Sequence, residues 1–157
     1  MAYEKTKYAT MSKNIWIADL GASMHMIYSL DGLVKTIECN SPVMVGYEKT
    51  LECKKIGSKI GYVQVRKGEF KKLTLEEVKY VPELFCNLLS ITKVMQRGFV
   101  LRGENGQMWI QKGKSKIFFD QKIKTADREL YGIYIDPEIK NETGLIMQYA
   151  ECRLIGP

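Results

Sequence analysis

The sequence has one histidine, His25, in 157 residues, and its four cysteines, Cys39, Cys53, Cys86 and Cys152, include no Cys-x-x-Cys pair. A structural zinc site needs clustered Cys and His ligands. No metal site is therefore expected, and the cysteines read as free thiols of a reducing compartment. No apolar run approaches the ~20 residues that cross a bilayer, so no membrane span is expected. The first fourteen residues are polar and lysine-rich. They lack the apolar centre of a secretory leader. Internal repeats and low-complexity tracts are also missing.

What is present suits one globular domain. The length and the hydrophobic share of 45% are enough for a core without staples. The net charge of +6 is uneven: residues 49–72 hold eight Lys or Arg and only two acids, Glu52 and Glu69. A basic stripe can hold phosphates. Aromatic residues to stack bases are thin there, with Tyr62 and Phe70 only. A lysine-dotted, solvated strand face is the competing reading, since lysines also blunt exposed sheet edges.

From Ile15 onward the dominant period is two, the signature of strands. Residues 41–47 read as one strand. Residues 50–82 read as several short strands punctuated by Gly57, Gly61 and Gly68. The apolar phase slips between Leu75 and Val78, which predicts a bulge. The period changes after Pro82: Leu88, Leu89, Ile91, Thr92 and Met95 fit a helical face. A helix is expected over about 88–97, with Asn87 as N-cap and Gly98 as stop. Strands resume at 99–103, 107–112, 116–120 and 130–136, and Asn105-Gly106 signals a hairpin. Many short strands with one helix predict an all-β fold, a closed β-barrel. Residues 1–13 read as a tether, 14–136 as the barrel domain and 137–157 as a weakly patterned tail.

One stretch carries chemistry. Ile15-Trp16-Ile17-Ala18 delivers Asp19 into a tight turn, Asp19-Leu20-Gly21-Ala22-Ser23. An aspartic protease presents its carboxylate in this way. Two carboxylates share one proton there: one activates water and the other supports the scissile carbonyl. The other aspartates, Asp31, Asp120, Asp127 and Asp136, lack such a turn. One carboxylate per chain demands a twofold dimer that sets Asp19 against Asp19 of a second copy. Alone, Asp19 could equally be a polar residue ending a strand. His25 reads as a structural hydrogen-bonding residue, and Trp16 and Trp109 as core.

"WIADLGASMHM" (16–26) and "VKYVPELFCNLLSITKVMQRGFVL" (78–101) resemble two segments of copia-type (TNT-like) retrotransposon Pol polyproteins. "LYGIYID" (130–136) resembles the strand leading towards their Gag-pre-integrase segment. The resemblance implies a closed retropepsin-like β-barrel and an aspartic endopeptidase that processes Gag-Pol in a cytoplasmic virus-like particle. Asp19 would be the catalytic residue. Leu20, Gly21, Ala22 and Ser23 would form the active-site turn and border the substrate cleft. A homodimer and a polypeptide substrate are implied, with no cofactor. Residues 54–72 are the expected flap, and the tail would begin the Gag-pre-integrase segment.

The sequence also departs from the family. Leu20 stands where the family has Ser or Thr, whose hydroxyl bonds across the dimer axis, so a weakened or silent protease is implied. The turn at 45–49 and Lys55 depart as well. The W-H-x-R-L-G-H motif and the Gag zinc knuckle are not found. Two rivals stand beside the protease reading: a non-catalytic β-barrel scaffold and a basic nucleic-acid-binding module.

Overall fold

The computed structural model describes residues 11–45 and 49–138, together with the backbone of 148–154. Most described residues lie in strands, with one short helix. β1 (Ile15–Asp19) is an interior strand of the main sheet. It pairs antiparallel with β11 (Glu129–Tyr134) on one side and parallel with β6 (Asn87–Ser90) on the other. Beyond β6 lie β2 (Met26–Ile27), β5 (Glu69–Tyr80), β4 (Thr50–Arg66) and β3 (Leu33–Met44); beyond β11 lies β10 (Gln121–Lys124). Strand β12 (Gln148–Leu154), inside the expected tail, runs parallel to β5 from Glu69 to Leu75. A separate meander holds β7 (Val100–Glu104), β8 (Gln107–Lys112) and β9 (Ser115–Phe118). Among the described residues no ladder closes the main sheet into the barrel that was expected, and a single bridge, Tyr62 with Asp136 just past β11, links β4 back to that end of the sheet.

Strand β1 is buried on both faces, which explains its unbroken apolar run. Trp16 joins one core, with Leu89, Ile133 and the helix residues Ile91 and Val94. Ile17 joins the other, with Met26, Leu88 and Val43. β6 alternates in the same way, sending Leu88 and Leu89 to opposite cores. Trp16 and Trp109 are both buried, as core residues should be.

The structure corrects the helix start. Leu88 and Leu89 lie in β6, and helix α1 spans Ile91–Gln96. A fully buried strand four residues long shows no alternation, so it merged with the helical period that follows. The cap is Ser90, whose Oγ accepts from the Lys93 amide at 3.1 Å. Asn87 is committed elsewhere: its Nδ2 donates to Lys13 O and its Oδ1 accepts from Tyr28 N. Gly98, at φ +91°, follows the helix as expected.

Residues 50–80 form two long strands where several short ones were expected. Only Gly68, at φ +76°, makes a turn. Gly57 and Gly61 sit inside β4 because other backbone comes close: a Cβ on Gly57 would meet Val34 O at 2.7 Å, and one on Gly61 would meet Asp136 O at 3.0 Å. The predicted bulge is present. Leu75 and Val78 pair with Lys59 and Gly57, leaving one extra residue on β5, and Glu77 adopts φ +57°. Asn105 and Gly106 both have positive φ, as the hairpin signal requires.

Candidate active site

Asp19 ends β1 and is paired in register with Ser90, the helix cap. Its side chain is almost wholly buried, and Oδ1 accepts the Gly21 amide at 2.7 Å. Gly21 does not need a left-handed conformation. A Cβ there would lie 3.2 Å from Asp19 Oδ1, so glycine is what lets the turn fold back on the carboxylate. Ala22 is buried and Ser23 exposed. The Leu20 side chain is 62% exposed, while its carbonyl accepts from Thr92 Oγ1 at 3.4 Å.

Three hydrogen bonds fasten this turn and the residues after it to the helix start. Ser90 Oγ donates to Ala22 O at 2.6 Å, the Ser90 amide donates to His25 Nδ1 at 3.0 Å, and Thr92 Oγ1 donates to Leu20 O at 3.4 Å. An Nδ1 that accepts carries no proton, so His25 is the neutral tautomer with its proton on Nε2. Burial, reinforced by Lys93 and Arg97, pushes its pKa down to about 4. His25 thus has the structural role expected of it. Cys86 lies close by, its thiol pushed up to about 12 by burial and by the charge of Asp19.

A cleft of about 310 Å³ opens beside Asp19. Gly21, Ala22 and Ser23 line it on the turn side, with Met26 and Leu88 from the core strands. Pro42, Val43, Met44 and Val45, at the end of β3, form the opposite wall, and Lys79 joins them. None of residues 54–72 lines this cleft, so the wall facing Asp19 belongs to the β3–β4 arm and not to the expected flap. The β4–β5 turn lies at Gly68, far along the sheet from the strand ends at Lys79 and Tyr80 that reach β2. Residues 46–48, within the departing turn at 45–49, lie outside the described residues.

The cleft brings together Asp19, Gly21, Ala22 and Ser23 with Lys79 and the arm; Leu20, which was also expected to border it, is not among its lining residues. The other aspartates are elsewhere: Asp31 pairs with Lys13 at 2.6 Å, Asp120 accepts the Tyr134 amide, Asp127 accepts from Thr125 Oγ1 and Asp136 accepts the Glu138 amide. Among the described residues, one chain therefore offers this cleft a single carboxylate. A lone carboxylate can give or take a proton, but the dyad chemistry needs a second. Among the described residues no group of three His, Cys, Asp or Glu side chains could hold a metal ion, and no helix is long and apolar enough to cross a membrane.

The family model for the Pol polyprotein, beta-barrel domain, matches residues 16–99. The chain belongs to that family. The match runs from Trp16 in β1 to just past α1, so it contains the Asp19 turn, both long hairpins and the helix start. No curated protein and no solved structure matches the chain. In this Pol domain the basic stripe is partly spent. Lys54 pairs with Glu52 at 2.5 Å, Lys55 with Glu38 at 3.4 Å and Arg66 with Glu69 at 2.7 Å, while Lys59 is buried. Sequence reasoning missed Lys79 and Pro42 because cleft walls depend on strand register, which no local motif records. Ser90 was visible in the Asn87-Leu88-Leu89-Ser90 segment, but only the β1–β6 pairing shows that it touches the Asp19 turn.

Proposed function

We propose that this domain is the retropepsin-like aspartic endopeptidase region of a copia-type Pol polyprotein, with Asp19 as its catalytic carboxylate and Leu20 weakening it. The observation that carries the reading is Asp19 itself: a buried carboxylate at a strand end, held by the Gly21 amide, facing a cleft walled by a hairpin arm. A peptide lying extended in that cleft could add strand-like hydrogen bonds to the arm. The second carboxylate would come from Asp19 of a second copy. Its substrate would be the Gag-Pol chain, in a cytoplasmic particle.

Leu20 is the reason for reduced activity. In a dimer built on the Asp19 turns, an exposed leucine would meet its symmetry mate where a hydroxyl pair would otherwise bond. Losing such a bond costs roughly 0.5–1.5 kcal/mol. A carboxylate pair displaced by about 1 Å loses roughly 10²-fold in rate. That same exposure favours a second reading, a non-catalytic scaffold that offers Leu20 and Met44 as an apolar contact. The nucleic-acid reading has less support, since half of the stripe is paired or buried; a salt-steep affinity for RNA would restore it.

Peptide-library cleavage at about pH 5, where a dyad is singly protonated, separates these readings. Cleavage by the parent that vanishes in Asp19→Asn is the expected result for a working enzyme. Cleavage only after Leu20→Ser indicates an intact fold silenced at one position. Silence from all three variants, each folded and dimeric, gives the scaffold reading.

A further inference from the structure

Two thiols outside the catalytic turn meet across the β3–β4 hairpin. Ser41 pairs with Cys53, and Glu38 with Lys55. Three residue steps on β3 thus oppose two on β4, and this bulge holds Cys39 and Asn40. Cys39 Sγ lies 3.3 Å from Ser41 Oγ, Cys53 Sγ donates to Lys55 O at 3.3 Å, and both side chains belong to one packed cluster beside the bulge. Cys39 is half-buried and Cys53 fully buried. A half-exposed thiol backed by a buried one is the arrangement of an attacking and a resolving cysteine.

We propose that Cys39 and Cys53 are a dithiol modification site, converted by a low-molecular-weight disulfide into a cross-strand disulfide that ties β3 to β4. The local chemistry supports Cys39 as the attacking sulfur. The Ser41 hydroxyl, helped by the Cys53 thiol and the Lys79 charge, holds its pKa below the usual thiol value, while burial raises that of Cys53. The Cys39 thiolate attacks one sulfur of the reagent disulfide. The reagent S–S bond breaks, one small thiolate leaves and takes a proton, and Cys39 carries a mixed disulfide. Cys53 gives up its proton and attacks Cys39 Sγ, and the second small thiol departs with that proton. Two protein thiols are oxidised and one reagent disulfide is reduced to two thiols. The bond would lie beside Pro42 and Val43, so it would stiffen the arm that walls the cleft. This inference rests on the hairpin alone and stands whether or not Asp19 catalyses.

The test uses the full chain carrying Cys152→Ser, incubated with glutathione disulfide and read by intact and peptide mass spectrometry without reduction. The expected product has lost two hydrogens, and its Cys39 and Cys53 peptides are linked. Adding Cys53→Ala should instead trap one glutathione on Cys39, and adding Cys39→Ser should abolish both products. Cys86, buried with its thiol raised to about 12, should stay unmodified throughout. Circular dichroism of each variant checks that it is folded. A stable glutathione adduct on Cys39 with Cys53 present, or no reaction at Cys39, would overturn the proposal.

Discussion

On one side of the cleft, β1 lies between two strands, with Trp16 and Ile17 buried in opposite cores and Asp19 tied through Gly21. On the other side, β3 is a sheet edge, exposed along most of its length, with two register shifts and with Ile37 66% and Met44 76% exposed. The carboxylate is thus carried by a strand that cannot move without opening two cores. The facing wall is carried by a strand with one neighbour. The bulges between Val34 and Ser41 also discourage other chains from pairing with that part of the edge, short of the cleft wall at residues 42–45. In the proposed protease this division would hold the proton-transferring group still while the facing wall adapts.

The sharpest way to break the comparison is to delete one large side chain from each wall. Trp16→Ala should cost about 3–5 kcal/mol in chemical denaturation. Ile37→Ala should stay within about 0.5 kcal/mol. Equal costs would mean that the two walls are equally packed.

Acid should act on the Asp19 side next. Unfolded His25 takes up its proton near its ordinary value of 6.5, and folded His25 only near about 4. Between these values the unfolded chain binds more protons, so stability is full above the window and falls as pH drops through it. The loss should approach roughly 3 kcal/mol by the lower end, and His25→Asn should flatten the slope. Asp31, Glu52 and Glu77 are held below their ordinary values by Lys13, Lys54 and Lys93. Their contributions are lost lower still, as those carboxylates protonate. A slope unchanged in His25→Asn would remove the histidine from this account.

Ser90→Ala removes a helix cap and the bond to Ala22 O, and should cost about 1–2 kcal/mol by denaturation. Hydrogen exchange should quicken at the Asp19 turn and not along β3. The smallest expected effect is Leu20→Ser, within about 0.5 kcal/mol for the single chain, because the side chain is solvent-exposed there. A larger gain that grows with protein concentration would show that Leu20 meets a second copy.

Features encoded by neighbouring residues were legible in the sequence. Asn105-Gly106 gave its hairpin, the slip between Leu75 and Val78 gave the bulge at Glu77, and the Asp19-Leu20-Gly21 turn gave the carboxylate. Features set by distant partners were not. Leu88 and Leu89 read as helix because a strand buried on both faces has no alternation. Gly57 and Gly61 read as breaks because the backbones that press on them come from residues 34 and 136. The two-residue β2 is too short for any period to appear, and β10 alternates only weakly. The wall at Pro42 and Lys79 follows from register, and so does the openness of the sheet.

The position of β1 also sets a schedule. Its parallel neighbour is made from residues 87–90 and its antiparallel neighbour from residues 129–134. A chain emerging from the ribosome releases Asp19 first and the strands that flank it much later, and such distant pairings close slowly. Until Tyr134 is paired with Ile15, one side of the aspartate strand has no neighbour. The Asp19 side of the cleft is therefore among the last parts of the domain to be completed during synthesis.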